Sequence, residues 1–532
     1  MALVWDCLFC SLPSLLLILL CLAFRWRRAS CVAARAVEED EEEEEEEPRL
    51  ICKPTALAKY LLRHCGSLSR PRLASRPWGD PHLQTLCGLL CGQLGETLRF
   101  TRDNLLLRDG GIVAVDWAVG TGLGKRAGRK RWEGRKEHQS RGKPLGCFTS
   151  TPPVLLLIPH LWGGMTPHLK ALCHQAMHQG FYVVVFHHRG TAGCPLTTTR
   201  LTEFGDPADL EQAVTYVRTR HPSSALVAVS EGSGSGILLS YLGECGSSTY
   251  LTAAAAISPV LLGQQWFETA MPPIYRWGAL FRRKLQLSRY ANSFRAVLDV
   301  DRALSSSSLR DFEESLFCSE AHLQQRSPMN SPNNSGLSSA ASAPQYAWDV
   351  APPVAWALGE RAYPARDWDS YWERNEPLRE ADEVAVPVLC ICSRDDPLLP
   401  PSSTLPIPLF QSNPYFFLVL TDRGGHCGFT LEDHEEMEGG ETEGEEVVAG
   451  SWSHVAVLEY FRVVAEFLKR EERDGASWAG PLGEYGQAGS RSRTSNVAPV
   501  RRRRAPTMRR PRPQSSEDTE EENFTWKRSY TR

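Results

Sequence analysis

Three residues far apart in the chain have the types and the order suited to acyl transfer. Ser230 ends an apolar run and opens a glycine-rich stretch, A-V-S-E-G-S-G-S-G over 228–236. A serine on a tight strand-to-helix turn needs small residues two before and two after it, because the two backbones crowd there. Ala228 and Gly232 meet that requirement, whereas Ser233 would have Glu231 and Ser235 as those neighbours. A hydroxyl is a poor nucleophile until a base takes its proton. His426, in T-D-R-G-G-H-C-G-F, stands after glycines whose turn can present an imidazole to it. A carboxylate must then fix the imidazole's tautomer and stabilise its charged form. The segment S-R-D-D-P-L-L-P supplies Asp396, four residues before Pro400, with Asp395 open as the alternative. The developing oxyanion needs two backbone N–H groups. Leu161 in P-H-L-W-G-G (159–164), and Glu231 just after the serine, are the expected donors.

Other chemistries find less support. The chain has no G-x-x-x-x-G-K phosphate loop and no H-E-x-x-H zinc motif, and His187-His188 lack partner ligands at fitting spacing. No cofactor and no metal are expected. With 59 basic and 63 acidic residues the net charge is −4, which does not suit a nucleic-acid binder. Of the 16 cysteines, Cys7, Cys10 and Cys21 lie in the first apolar run, and the rest show no paired C-x-x-C spacing of the zinc-binding kind. They are read as free thiols, in keeping with a reducing compartment.

These groups must be positioned by a larger frame. Apolar runs at 154–158, 182–186, 225–229, 253–257, 386–391 and 415–419 read as buried strands. Between them, 167–180 and 206–220 carry helical spacing, the second with Asp206 as N-cap and Pro207 at the first position, and 237–242 lies in a helix after the serine. Strand and helix in alternation predict an α/β fold with a mostly parallel sheet covered on both faces. The core is assigned to 76–470, with insertions at 124–146, 318–365 and 432–450 marked by charge runs or Ser/Pro/Asn-rich composition. Residues 29–75, with ten consecutive acidic residues at 38–47, read as an acidic linker and lead-in, and 471–532 as a disordered basic and acidic tail. The apolar run at 2–24 is long enough to span a bilayer, and RWRR follows at 25–28. Segment 1–28 is therefore expected to be a membrane anchor that keeps the domain cytosolic. A cleaved signal peptide, with a lumenal or secreted domain, is the rival.

The serine, aspartate and histidine occur in the chain order of the α/β-hydrolases. The series H-L-Q-T (82–85), R-D-G-G-I-V-A-V-D-W (108–117), L-I-P-H-L-W-G-G (157–164), V-V-F-H-H-R-G-T-A-G (184–193), Y-L-G-E (241–244), V-P-V-L-C-I-C-S-R-D-D-P (386–397) and G-G-H-C-G-F (424–429) resembles the abhydrolase-4 family. That resemblance implies an α/β-hydrolase fold and a single-pass membrane serine hydrolase acting on lipid acyl esters. Ser230, Asp396 and His426 would form its triad, beneath an apolar lid region at 260–317. Two departures support an alternative. The family usually has glycine where His160 stands, and its elbow reads G-x-S-x-G where this chain has A-x-S-x-G. The alternative is a catalytically weak or inactive protein that uses the fold as a regulatory scaffold in lipid metabolism, binding a protein partner or lipid.

Overall fold

The computed structural model describes residues 49–68, 73–74, 79–90, 98–119, 151–161, 163–198, 200–295, 298–318, 365–431 and 451–478. In chain order these form β1 (Arg49–Ile51), α1 (Ala56–His64), α2 (Pro81–Leu90), β2 (Arg99–Leu106), β3 (Ile112–Val119), β4 (Val154–Ile158) and α3 (Pro167–His178). Then come β5 (Tyr182–His187), α4 (Ala208–Arg220), β6 (Leu226–Glu231), α5 (Ser235–Cys245), β7 (Ala253–Ile257), α6 (Pro273–Arg289) and α7 (Leu309–Phe317). The last are α8 (Trp368–Asn375), β8 (Val388–Ser393), α9 (Ile407–Ser412), β9 (Phe416–Thr421) and α10 (Trp452–Trp478). The apolar run at 2–24, the acidic run at 38–47, the basic loop at 124–146 and the tail beyond 478 lie outside the described residues. Among the described residues no helix is long and apolar enough to cross a membrane.

The strands form one nine-stranded sheet in the order β1-β9-β8-β7-β6-β4-β5-β3-β2. The six strands from β4 to β9 are mutually parallel, while β1, β2 and β3 pair antiparallel at the two edges. A parallel strand must be apolar on both faces, because crossover helices cover both. The VLLLI of β4 does this: Val154, Leu156 and Ile158 join the core under α4 and α5, and Leu155 and Leu157 join the core under α1, α3 and α10. Each fully buried aliphatic side chain contributes about 1.5–3 kcal/mol. The poly-alanine β7 has little bulk on either face and lets the flanking layers close in.

Several expectations shift by a residue or two. The central strand runs from Leu226 to Glu231, beyond the 225–229 expected from apolarity, so Ser230 and Glu231 are strand residues. Asp206 caps α4 through Ala208 N–H at 3.1 Å, with Pro207 in the N-cap place rather than the first turn. The stretch read as a lead-in contributes β1, in register with Leu418–Leu420 of β9, and α1, which packs on α10. Two insertions close at their bases. Ala365 N–H donates to Phe317 O at 2.7 Å beside a Cys318–Ala365 bridge, and Thr430 bridges Ser451.

Two of the sequence motifs are joined by charge. Arg189, from the H-H-R-G segment, donates Nε to Asp209 at 2.7 Å and Nη1 to Asp109 of R-D-G-G at 2.9 Å. Its side chain is only 2% exposed. Arg189→Leu would strip the buried Asp209 carboxylate of both guanidinium bonds, so urea unfolding should show a loss of about 3–5 kcal/mol.

Candidate active site

The sheet order reverses between β4 and β6, and a crevice opens outside the carboxyl ends of strands at such a switch point. The loops after β4, β6, β8 and β9 meet there. Asp396 follows β8 and His426 follows β9, and His426 Nδ1 lies 2.8 Å from Asp396 Oδ2. The other Asp396 oxygen accepts from Leu398 N–H at 2.8 Å and Leu399 N–H at 3.2 Å. Asp395 instead braces the backbone: its Oδ1 accepts from Gly425 N–H at 2.9 Å and meets Ser393 Oγ. Burial pushes the Asp395 carboxyl above the usual carboxylate range, against the bonds from Ser393 and Gly425.

The histidine loop is fixed from three sides. Besides Asp395, Thr85 Oγ1 accepts from His426 N–H at 3.0 Å, and Ser258 Oγ accepts from Cys427 N–H at 3.0 Å. Thr85 lies on α2 and gives the H-L-Q-T motif its purpose. Cys427 (φ 60°) and Phe429 (φ 47°) take left-handed backbone conformations without being glycine. Such strain persists where the surroundings over-determine it, as these three anchors do. Burial alone would lower the His426 pKa, but the facing Asp396 carboxylate outweighs it and holds the imidazole well above its ordinary value.

The turn after β6 differs from expectation. Ser230 is an extended strand residue in register with Ile158 and Ala256, fully buried, and its Oγ has no hydrogen-bond partner. The chain turns two residues later, at Gly232, with φ +48°. Left-handed backbone crowds a Cβ against the following carbonyl, and glycine has none to crowd. The small-residue rule is met about this position too: a Cβ at Gly234, two beyond, would collide with the Pro159 carbonyl, and Ser230 is the small residue two before. The stretch is therefore S-E-G-S-G centred on 232, and the central position holds no hydroxyl.

A Cβ built on Gly232 would lie 2.8 Å from His426 Nε2, so the imidazole is aimed at the place a nucleophile would occupy. The same point is 2.5 Å from Cε1 and 2.6 Å from Nδ1 of His160, whose ring fills that space and stacks on His426 at 5.9 Å. Desolvation brings the His160 pKa down to about 4, against the nearby Glu231 and with the help of His426, so this ring is neutral.

The expected oxyanion donors are also placed differently. Leu161 N–H is taken by Ser233 Oγ at 3.1 Å. Glu231 remains in β6, in register with Ile257, and its buried carboxylate meets His168 Nδ1 and accepts from Thr166 Oγ1 at 2.9 Å. Burial would raise the Glu231 pKa, but His168 more than offsets it and keeps the carboxylate below its usual range. Sequence reasoning singles out His160 as a departure but misses Gly232 as the turn and the anchoring roles of Thr85 and Ser258. The repeated G-S-G letters allow more than one register, and only the length of β6 chooses between them.

His187 Nε2 lies 3.0 Å from Asp116, whose carboxylate also takes a bidentate pair from Arg102 at 2.7 Å each, and His188 packs edge-on to Phe186. Among the described residues no group of three or more His, Cys, Asp or Glu could hold a metal ion. The described cysteines, including Cys390 and Cys392 in β8, are free thiols.

The raised His426 pKa sets a pH dependence. A histidine whose folded pKa exceeds its unfolded value of about 6.5 contributes stability fully present below that pH and lost as pH rises through the folded value. Asp396→Asn should therefore destabilise the protein most near about pH 6 and progressively less toward alkaline pH in denaturant titrations. The His426 ring signal in NMR should then titrate at lower pH than in the wild type, because the largest charge opposing burial is gone.

No family model matches the chain. Protein ABHD15 of Homo sapiens is 42% identical over 485 residues, spanning 91% of this chain and 85% of that protein. Phospholipase ABHD3 of Homo sapiens is 28% identical over 392 residues, 72% of this chain and 79% of its own. A Monoacylglycerol lipase of Saccharomyces cerevisiae is 23% identical over 301 residues, 56% and 59% of the two chains. A solved Pyrococcus furiosus esterase overlays weakly, with TM-score 0.33 and 11% identity across 71% of this chain and 97% of that one. With most of both sequences aligned to the human ABHD15 protein, the chain belongs to the abhydrolase family of α/β-hydrolases.

Proposed function

We propose that this chain is a lipid-binding, regulatory member of its family in which serine-hydrolase turnover is silenced at the elbow. The observation that carries the reading is the glycine at 232 with the His160 ring in the space a nucleophile would need. The Asp396–His426 pair can hold a proton at the imidazole, but the residue it faces has nothing to give up. The site would still receive an acyl ester, a substrate class suggested by sequence similarity to relatives named as a phospholipase and a monoacylglycerol lipase. In this reading the chain acts on lipid metabolism by binding, as a scaffold for a lipid or a protein partner. The apolar run at 2–24 would tether it to a membrane, with Arg25, Arg27 and Arg28 holding the domain on the cytosolic side.

A second reading has its own support, the intact pair between Asp396 and His426. It is a carboxylic ester hydrolase using Ser230, His426 and Asp396, after a rearrangement that brings the buried Ser230 hydroxyl to the surface of the turn.

Labelling with a fluorophosphonate separates the two. The silenced reading expects no labelling of the wild type or of Ser230→Ala. It expects Gly232→Ser combined with His160→Gly to acquire labelling that a further His426→Ala removes. Robust wild-type labelling that Ser230→Ala abolishes would establish the serine hydrolase instead.

A further inference from the structure

We propose that the outward face of α6 seats the protein on an anionic lipid surface, beside the candidate site. The sequence of α6, PIYRWGALFRRKLQLSR, has five cationic residues and no carboxylate, and of the five only Arg283 is buried in an ion pair, with Glu313. Ala279, Leu280, Arg283 and Leu287 are buried on its inner side, so the helix already has its core contacts. Its other side carries Ile274, Trp277, Phe281 and Leu285, exposed by 66, 66, 56 and 46%. Their spacing of three, four and four places them on one stripe over three turns. Trp277 and Phe281 stack at 5.8 Å. Ten large hydrophobic side chains are exposed among the described residues, and four of them are on this helix. That is a patch, where single exposed apolar residues would be unremarkable.

Chemistry selects the occupant. Aromatic and aliphatic side chains on one face, with arginine and lysine alongside, are the composition of helices that lie in the membrane interface. Arg282 and Arg289 are exposed beside the stripe, and with no acidic residue on the helix they complement anionic headgroups. A protein partner of ordinary surface would leave this one-sided charge unmatched.

The inner contacts say what seating would reach. Arg282 Nη2 donates to Gly163 O at 2.5 Å, in the loop that carries His160. The Tyr275 hydroxyl is 2.9 Å from His82 Nδ1, on the helix whose Thr85 anchors His426. The helix is thus fastened to the His160 loop and to the helix that anchors the His426 loop, and a lipid surface against its stripe would lie beside the site. This holds whether or not the site turns over.

Vesicle binding by the full chain is no test, because residues 2–24 could supply it. The emission of wild type minus that of Trp277→Phe isolates one indole, and a Phe at this exposed position leaves the fold intact. Brominated acyl chains quench an indole seated among them. The difference emission should fall by at least half on brominated phosphatidylcholine vesicles containing phosphatidylglycerol, and much less without it. Equal quenching on both would overturn the anionic preference. An unquenched Trp277 on protein that floats with the vesicles would overturn the docking itself. So would an indole shielded without vesicles, whether by a second copy in sedimentation or by a segment of this chain.

Discussion

The turn from β6 into α5 is the constraint on which the rest of the site depends. The chain must leave the central strand, pass beneath the β4 carbonyls and begin a helix within three residues. The backbone at 232 takes a left-handed conformation to do so, and the space beyond its Cα is filled by His160. Once a glycine holds that place, the surrounding geometry settles around it. The Ser230 hydroxyl stays inside the sheet, and Ser233 Oγ takes the Leu161 N–H that would otherwise face a developing charge. Glu231 is drawn to the opposite face by His168 and Thr166.

The base side of the site is held by several independent hydrogen bonds. Asp396 orients the imidazole while Asp395, Thr85 and Ser258 hold the backbone that carries it. Such contacts fix the position and tautomer of the imidazole. Here they surround a position without a hydroxyl. Two features of one loop, the neutral His160 ring and the occupied Leu161 amide, close the space from the other side.

Much of this is legible in the residues, and the misses have a common physical cause. The six parallel strands are evident because burial on both faces writes continuous apolar runs, as in VLLLI at 154–158. The aspartate and histidine are evident because each follows such a run into a turn. The edge strands lack that signature, because β1 is only three residues long and β2, RFTRDNLL, mixes charged and apolar residues along its length. Apolarity misplaces the elbow because it ends at Val229 while the strand continues two residues, through side chains that are polar yet fully buried. Hydropathy cannot report a glutamate buried against partners from another element, or a serine buried beside it. Thr85 and Ser258 are invisible for the same reason, since each acts on a backbone amide far away in the chain.

The closed bases of the two insertions carry a last consequence. At 318 and 365, and again at 430 and 451, the chain departs and re-enters through a single bridge between adjacent backbones. The entropy of closing such a loop grows only with the logarithm of its length, so each doubling adds about 0.6 kcal/mol. The core is therefore nearly indifferent to how much sequence is hung from these two gates. Evolution can lengthen, shorten or recompose those stretches, and add recognition signals to them, without disturbing the sheet from which they depart.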